Sequence, residues 1–196
     1  MSPNEKSQCQ HRVYVDIPNL VLVGGHVAAV AKGLAPSVEV ANTYNVFDPF
    51  WRLDFRALVS RIAWSRERSA TRLVAFGSSA GCDFGFWRAV QQAGMEAVIL
   101  PRVPGRREKG VDISLAMEAL HDVENRLKPG DEITLVAGDG DYVPLVQRVL
   151  ERGISVRVVF WSSAAKALKE AASESVCLDP YLHRLTLAPY ARRRAA

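Results

Sequence analysis

Short β-branched runs alternate along the chain with segments whose apolar residues recur every three or four positions. No other feature restricts the fold as much. RVYVDI (12–17) reads as a buried strand, with NLVLVG left open as its continuation. TRLVAFG (71–77), EAVILP (96–101), EITLVAG (132–138) and ISVRVVFW (154–161) read as further strands, and SVCLD as a short last one. Between them FWRAVQQAG (86–94), DISLAMEALHDVENRL (112–127), VPLVQRVLERG (143–153) and SAAKALKEAA (163–172) carry helical spacing. In the second of these, Ile113, Leu115, Ala116, Leu120, Val123 and Leu127 form the apolar stripe. Repeated strand–helix units imply an α/β fold: a mostly parallel sheet of five or six strands, covered by helices on both faces through right-handed crossovers.

A chain of 196 residues suits one domain, here taken as 12–187 between an N-terminal tail (1–11) and a basic C-terminal tail (188–196). Residues 24–70 are richer in Asn, Pro and aromatics and read as an insertion ending in one helix, DFRALVSRIAWSRER. A lid, a dimer contact and a substrate wall all remain open for it, and so does a homodimer. The apolar fraction of 48% marks a globular chain, yet no stretch approaches the ~18 apolar residues of a membrane span. The first ten residues lack a secretory h-region, so a soluble, cytoplasmic protein is expected. Cys9, Cys82 and Cys177 form no CxxC pair, which argues against a zinc site and a disulfide framework. Net charge is +4. Arg102, Arg106, Arg107 and Lys109 concentrate the positive charge in one loop, either as solvated surface or as a rim for backbone phosphates.

In open α/β sheets the functional crevice lies beyond the carboxyl ends of the strands, where strand order reverses. Asp16 ends the first strand, where a strongly apolar run gives an acid no local reason to be. Asp139 and Asp141 follow the fourth strand in AGDGDY. An order of 3-2-1-4-5 makes those two strands neighbours. Asp141 also reads as an N-cap for the helix beginning at Tyr142, and Asp112 as a first-turn acid favoured by the helix dipole. Asn19 reads either as an Asx turn with Pro18 or as a hydrogen-bond partner for an acid or for the backbone of a turn. Glycines 138 and 140 allow the backbone to approach closely. Four carboxylates packed together repel one another unless a cation lies between them, and oxygen-only ligands suit Mg²⁺ or Mn²⁺ rather than Zn²⁺.

VDIPNL, KGVDISLAMEAL and AGDGDYVPLVQRVLERG resemble, in this order, the three signature blocks of the NYN domain, a branch of the PIN-like nucleases. The resemblance implies a Rossmann-like three-layer sandwich, a divalent-metal centre and ribonuclease activity on single-stranded or structured RNA. By motif position it makes Asp16, Asp112, Asp139 and Asp141 the acidic centre, Asn19 the polar residue of the first block and Lys109 the lysine of the second. Ile17-Pro18 stands where the family commonly has glycine. Glu118, where the family often has aspartate, lies off the face of Asp112 and is taken as structural; Glu174 is a weak candidate for a further family acid. Ser78, Ser79 and Tyr142 could contact sugar or base, with packing or turn roles as the alternative. The rival function is a binding module for RNA or a protein in which cleavage is lost. Trp51, Trp64 and Phe50 then supply a docking surface or else belong to the core. A nucleotide-utilising enzyme is disfavoured because GSSAGCDFG lacks the GxGxxG spacing.

Overall fold

β1 (His11–Asp16) is buried along its whole length because helices cover both of its faces. The structure, a computed structural model, describes residues 9–65, 68–79, 84–101 and 110–188. After β1 the chain forms α1 (Ile17–Ala31), α2 (Val38–Thr43) and α3 (Phe55–Ile62). A two-stranded hairpin follows, β2 (Trp64–Ser65) with β3 (Arg68–Ser69). Then come β4 (Arg72–Ser78), α4 (Phe84–Gln92), β5 (Glu96–Leu100), α5 (Val111–Asn125) and β6 (Glu132–Val136). The chain closes with α6 (Val143–Glu151), β7 (Ser155–Phe160), α7 (Lys166–Ala171), β8 (Glu174–Cys177) and α8 (Leu182–Leu185).

Six strands lie in the order β5-β4-β1-β6-β7-β8, and every neighbouring pair is parallel. This is the order that the acids at the ends of β1 and β6 required, with β8 added outside. Successive side chains of β1 point to opposite faces. Val13 and Val15 enter a core with Leu20 and Val27 of α1, Leu58 of α3 and Val90 of α4. Tyr14 enters the other, with Leu115 and Val123 of α5, Val146 of α6 and Leu168 of α7. Among the described residues no helix is long and apolar enough to cross a membrane.

The structure corrects three readings. NLVLVG does not continue the first strand: it lies in α1, because the Asp16 carboxylate caps the helix and Pro18 occupies its first turn. The helix read over DFRALVSRIAWSRER ends at Ile62, after which Trp64 and Ser65 pair with Ser69 and Arg68. Ile113, assigned to the apolar stripe of α5, is 60% exposed.

Candidate active site

Asp16 continues the alternation of β1, so its carboxylate emerges on the face of Tyr14, toward α5 and the turn before α6. Only 6% of it is exposed. Both of its oxygens are engaged. Oδ1 accepts from the Asn19 amide at 3.1 Å and Oδ2 from the Tyr142 hydroxyl at 2.9 Å. Burial raises the Asp16 pKa above its ordinary value, the two hydrogen bonds oppose that rise, and the charges of Asp112 and Asp139 add to it. The Tyr142 hydroxyl is held protonated by its own burial, by Asp16 beside it and by the same two acids. Asp16, Asp112 and Asp139, separate in sequence, therefore share one field.

Asn19 ties the two strand ends together, its Oδ1 accepting from the Gly138 amide at 3.0 Å. It is neither a simple Asx turn nor idle. Gly138 is required for a separate steric reason: a Cβ at this position would overlap the Phe160 ring. The turn after β6 also differs from the cap expected at Asp141. Residues Gly140–Tyr142 form one turn of 3-10 helix, and it is Asp139 that caps it, accepting from the Asp141 amide at 3.0 Å. Tyr142 precedes α6 without a side-chain cap. Asp139 and Asp141 are both exposed.

The position of Asp112 follows from an anchor at the far end of α5. Buried Asp122 binds Arg12, accepts from the Tyr14 hydroxyl at 2.6 Å and pairs with Arg72 at 3.1 Å. Burial alone would raise the Asp122 pKa, but Tyr14, Arg12 and Arg72 together bring it below the ordinary range. From Asp122 back to Asp112 the helix covers about 15 Å at 1.5 Å per residue. From Arg12 to Asp16 the strand covers about 13 Å at ~3.3 Å per residue. A helix antiparallel to β1 and pinned at Asp122 thus delivers its first-turn acid to the level of Asp16. Glu118, between them, bonds Arg72 at 2.7 Å, in keeping with a structural role. Glu174 sits at β8, with Arg157 at 3.7 Å.

Ser78 is half-buried at the carboxyl end of β4, two residues beyond the Phe76 that pairs with Asp16. Arg102, Arg106, Arg107 and Lys109 lie outside the described residues. Trp51 belongs to the core, whereas Phe50 and Trp64 are exposed. Sequence reasoning weighed Tyr142 only as a contact or packing residue and missed its bond to Asp16, which spans 126 positions. Among the described residues no three His, Cys, Asp or Glu side chains already stand in a group that could hold a metal ion.

A parallel sheet in this order, with Asp16 and Asp139 following the two strands between which the order reverses, places the protein among the PIN-like α/β domains. The NYN domain family model matches residues 12–179, and the chain belongs to that family, a branch of the PIN-like nucleases. No curated protein matches it significantly. Its fold is similar to the crystal structure of VPA0982, a protein of unknown function from Vibrio parahaemolyticus. The TM-score is 0.66 and the identity 17%, covering 94% of this chain and 99% of the other.

Proposed function

We propose that the protein is a metal-dependent ribonuclease that hydrolyses RNA phosphodiester bonds at the Asp16–Asp112–Asp139 centre. The observation that carries this reading is the NYN match over residues 12–179 together with the Asn19–Gly138 hydrogen bond, which holds the turn bearing Asp139 against the end of the strand that bears Asp16. Burial is the main cause of the raised Asp16 pKa and the charges of Asp112 and Asp139 add to it, a cost that a cation would reverse. Oxygen-only donors fit Mg²⁺ or Mn²⁺. Mg²⁺ commonly binds through one or two carboxylates, with water and substrate phosphate completing its shell. Asp16 and Asp139 would hold the ion directly, with Asp112 and Asp141 acting through water. When bound, the ion supplies a water of lowered pKa and charge neutralisation at the phosphate.

The remaining work belongs to the chain. Tyr142 and the Asn19 amide fix the Asp16 carboxylate in one orientation, and the Asn19 side chain holds the turn that presents Asp139. Exposed Asp112 is free to accept a proton from the attacking water. Arg102, Arg106, Arg107 and Lys109 would grip neighbouring phosphates, and Ser78 the sugar. A second reading draws on a specific observation: both Asp16 oxygens already carry hydrogen bonds, as in a site retained for binding alone. A cleavage assay on labelled RNAs with Mg²⁺, Mn²⁺ or EDTA, beside an Asp16→Asn/Asp139→Asn variant, separates the two. Cleavage that needs the metal and both acids supports the nuclease. RNA retention in EDTA without cleavage in Mn²⁺ supports the binding module.

A further inference from the structure

On the opposite face of the sheet from Asp112, a groove of about 690 Å³ opens between α1, α3 and α4. Its walls are apolar and aromatic: Val21, Trp51, Phe55 and Phe86. These rings are locked edge to face, Phe55 on Phe86 at 5.2 Å and Trp51 on Trp161 at 6.1 Å. Phe86 remains half-buried, leaving part of its surface to the groove. Trp51 and Phe55 form the buried floor, 6% and 8% exposed, so Phe86 is the ring that offers a base a stacking face.

Two cations complete the groove. Arg52 and Arg56 line it and are exposed, and among the described residues neither is paired with a carboxylate. Asp54 also lines the groove but is engaged in capping α3, its Oδ1 accepting from the Arg56 and Ala57 amides. The Arg52 guanidinium is already ordered by the Pro49 and Trp51 carbonyls at 2.8 and 2.7 Å, which leaves further N–H donors for an outside anion. Aromatic surface beside unpaired arginines is the chemistry that holds single-stranded nucleic acid, bases on the rings and phosphates on the guanidinium groups.

The strand end that carries Asp16 leads directly into α1, which walls the groove with Val21. Val21 is five residues along α1 from Asp16, about 7.5 Å of helix axis. α4 closes over the same sheet edge, since Trp87 packs where a Gly77 Cβ would stand, with Pro18 beside it. We propose that the groove is a subsite for one or two unstacked bases of single-stranded RNA flanking the phosphate at the acid centre. Arg52 and Arg56 hold the adjoining phosphates. The proposal rests on the RNA-directed reading above but not on cleavage. A strand leaving the acids crosses the edge over Pro18 and Asn19 and enters the groove there.

The test uses the full chain carrying Asp139→Asn, in EDTA, with fluorescein-labelled oligouridylate and oligoadenylate followed by anisotropy over a salt series. Adding Arg52→Ala and Arg56→Ala is expected to weaken binding at least tenfold. It should also flatten the slope of log K against log salt by about 1.4, from ~0.7 per lost phosphate contact. Phe86→Leu keeps the apolar volume but loses the ring, and is expected to weaken binding about five- to 100-fold, whereas Phe86→Tyr retains it. No binding of either oligonucleotide overturns the proposal. So do unchanged affinity and slope in the arginine variant, an outcome that would assign the groove to a protein partner. Loss of binding in these variants together with no cleavage by the wild type leaves the subsite standing and removes the nuclease. Cleavage with no effect of the groove variants does the reverse.

Discussion

Tyr142→Phe deletes one hydroxyl and nothing else, so its cost can be worked from a single bond. The hydroxyl donates to Asp16 Oδ2 at 2.9 Å, with Tyr142 2% and Asp16 6% exposed, and water is poorly placed to replace it. A hydrogen bond to a charged group contributes about 1.5–3 kcal/mol, and a neutral one about 0.5–1.5. Above the raised Asp16 pKa, where that carboxylate is ionised, the variant is expected to lose about 1.5–3 kcal/mol of unfolding free energy. The sign of the pH dependence follows from the raised Asp16 pKa. Between the ordinary value of 3.8 and that raised pKa the folded state holds a proton that the unfolded chain has lost. Wild-type stability therefore falls as pH rises through this window and levels off above it. Removing the hydroxyl raises the folded pKa further and extends the window upward. The deficit should be full above it and shrink to about 0.5–1.5 kcal/mol once acid protonates Asp16. Urea unfolding at a series of pH values reads this directly. A deficit below ~0.5 kcal/mol above that window, the ordinary scatter of surface substitutions, would refute the reasoning. A deficit that does not shrink in acid would refute it too.

Other perturbations probe the same frame. Gly138→Ala forces a methyl into the Phe160 ring and should cost about 1–3 kcal/mol in urea unfolding. If the acids are catalytic, the shifted turn should also slow RNA cleavage about 100-fold. Asn19→Ala strands the Gly138 amide and is expected to destabilise by about 1–3 kcal/mol, with a larger effect on cleavage than on RNA affinity. Asp122→Asn leaves Arg12 buried without its counter-charge and should cost about 3–5 kcal/mol by urea unfolding. Because the Asp122 pKa is depressed, its contribution is present above the unfolded value of 3.8 and lost as pH falls through the folded pKa.

Composition could not show the sheet order; the acids ending two apolar strands only set the condition that those strands be neighbours, and the observed order meets it. The parity of β1 could be read, since Arg12, Tyr14 and Asp16 alternate with Val13 and Val15. The start of α1 was not read from NLVLVG, because a short apolar run has no periodicity of its own. Asp16 followed by Pro18 was the available signal, an N-cap before a first-turn proline. In AGDGDY either aspartate can cap, and the choice of Asp139 depended on a single 3-10 turn that sequence patterns do not resolve. The bonds from Tyr142 to Asp16 and from Tyr14 to Asp122 join residues more than a hundred positions apart. Only the folded register of α5 and α6 on β1 reveals them.

The central proposal is that Asp16, Asp112 and Asp139 bind a divalent ion together. Mn²⁺ titration followed by electron paramagnetic resonance, on the wild type and on Asp16→Asn/Asp139→Asn, tests it most directly. The expected result is saturable Mn²⁺ binding by the wild type, displaced by Mg²⁺ and lost in the variant while the fold persists. Equal binding by both proteins, or none by either in the presence of RNA, would contradict it.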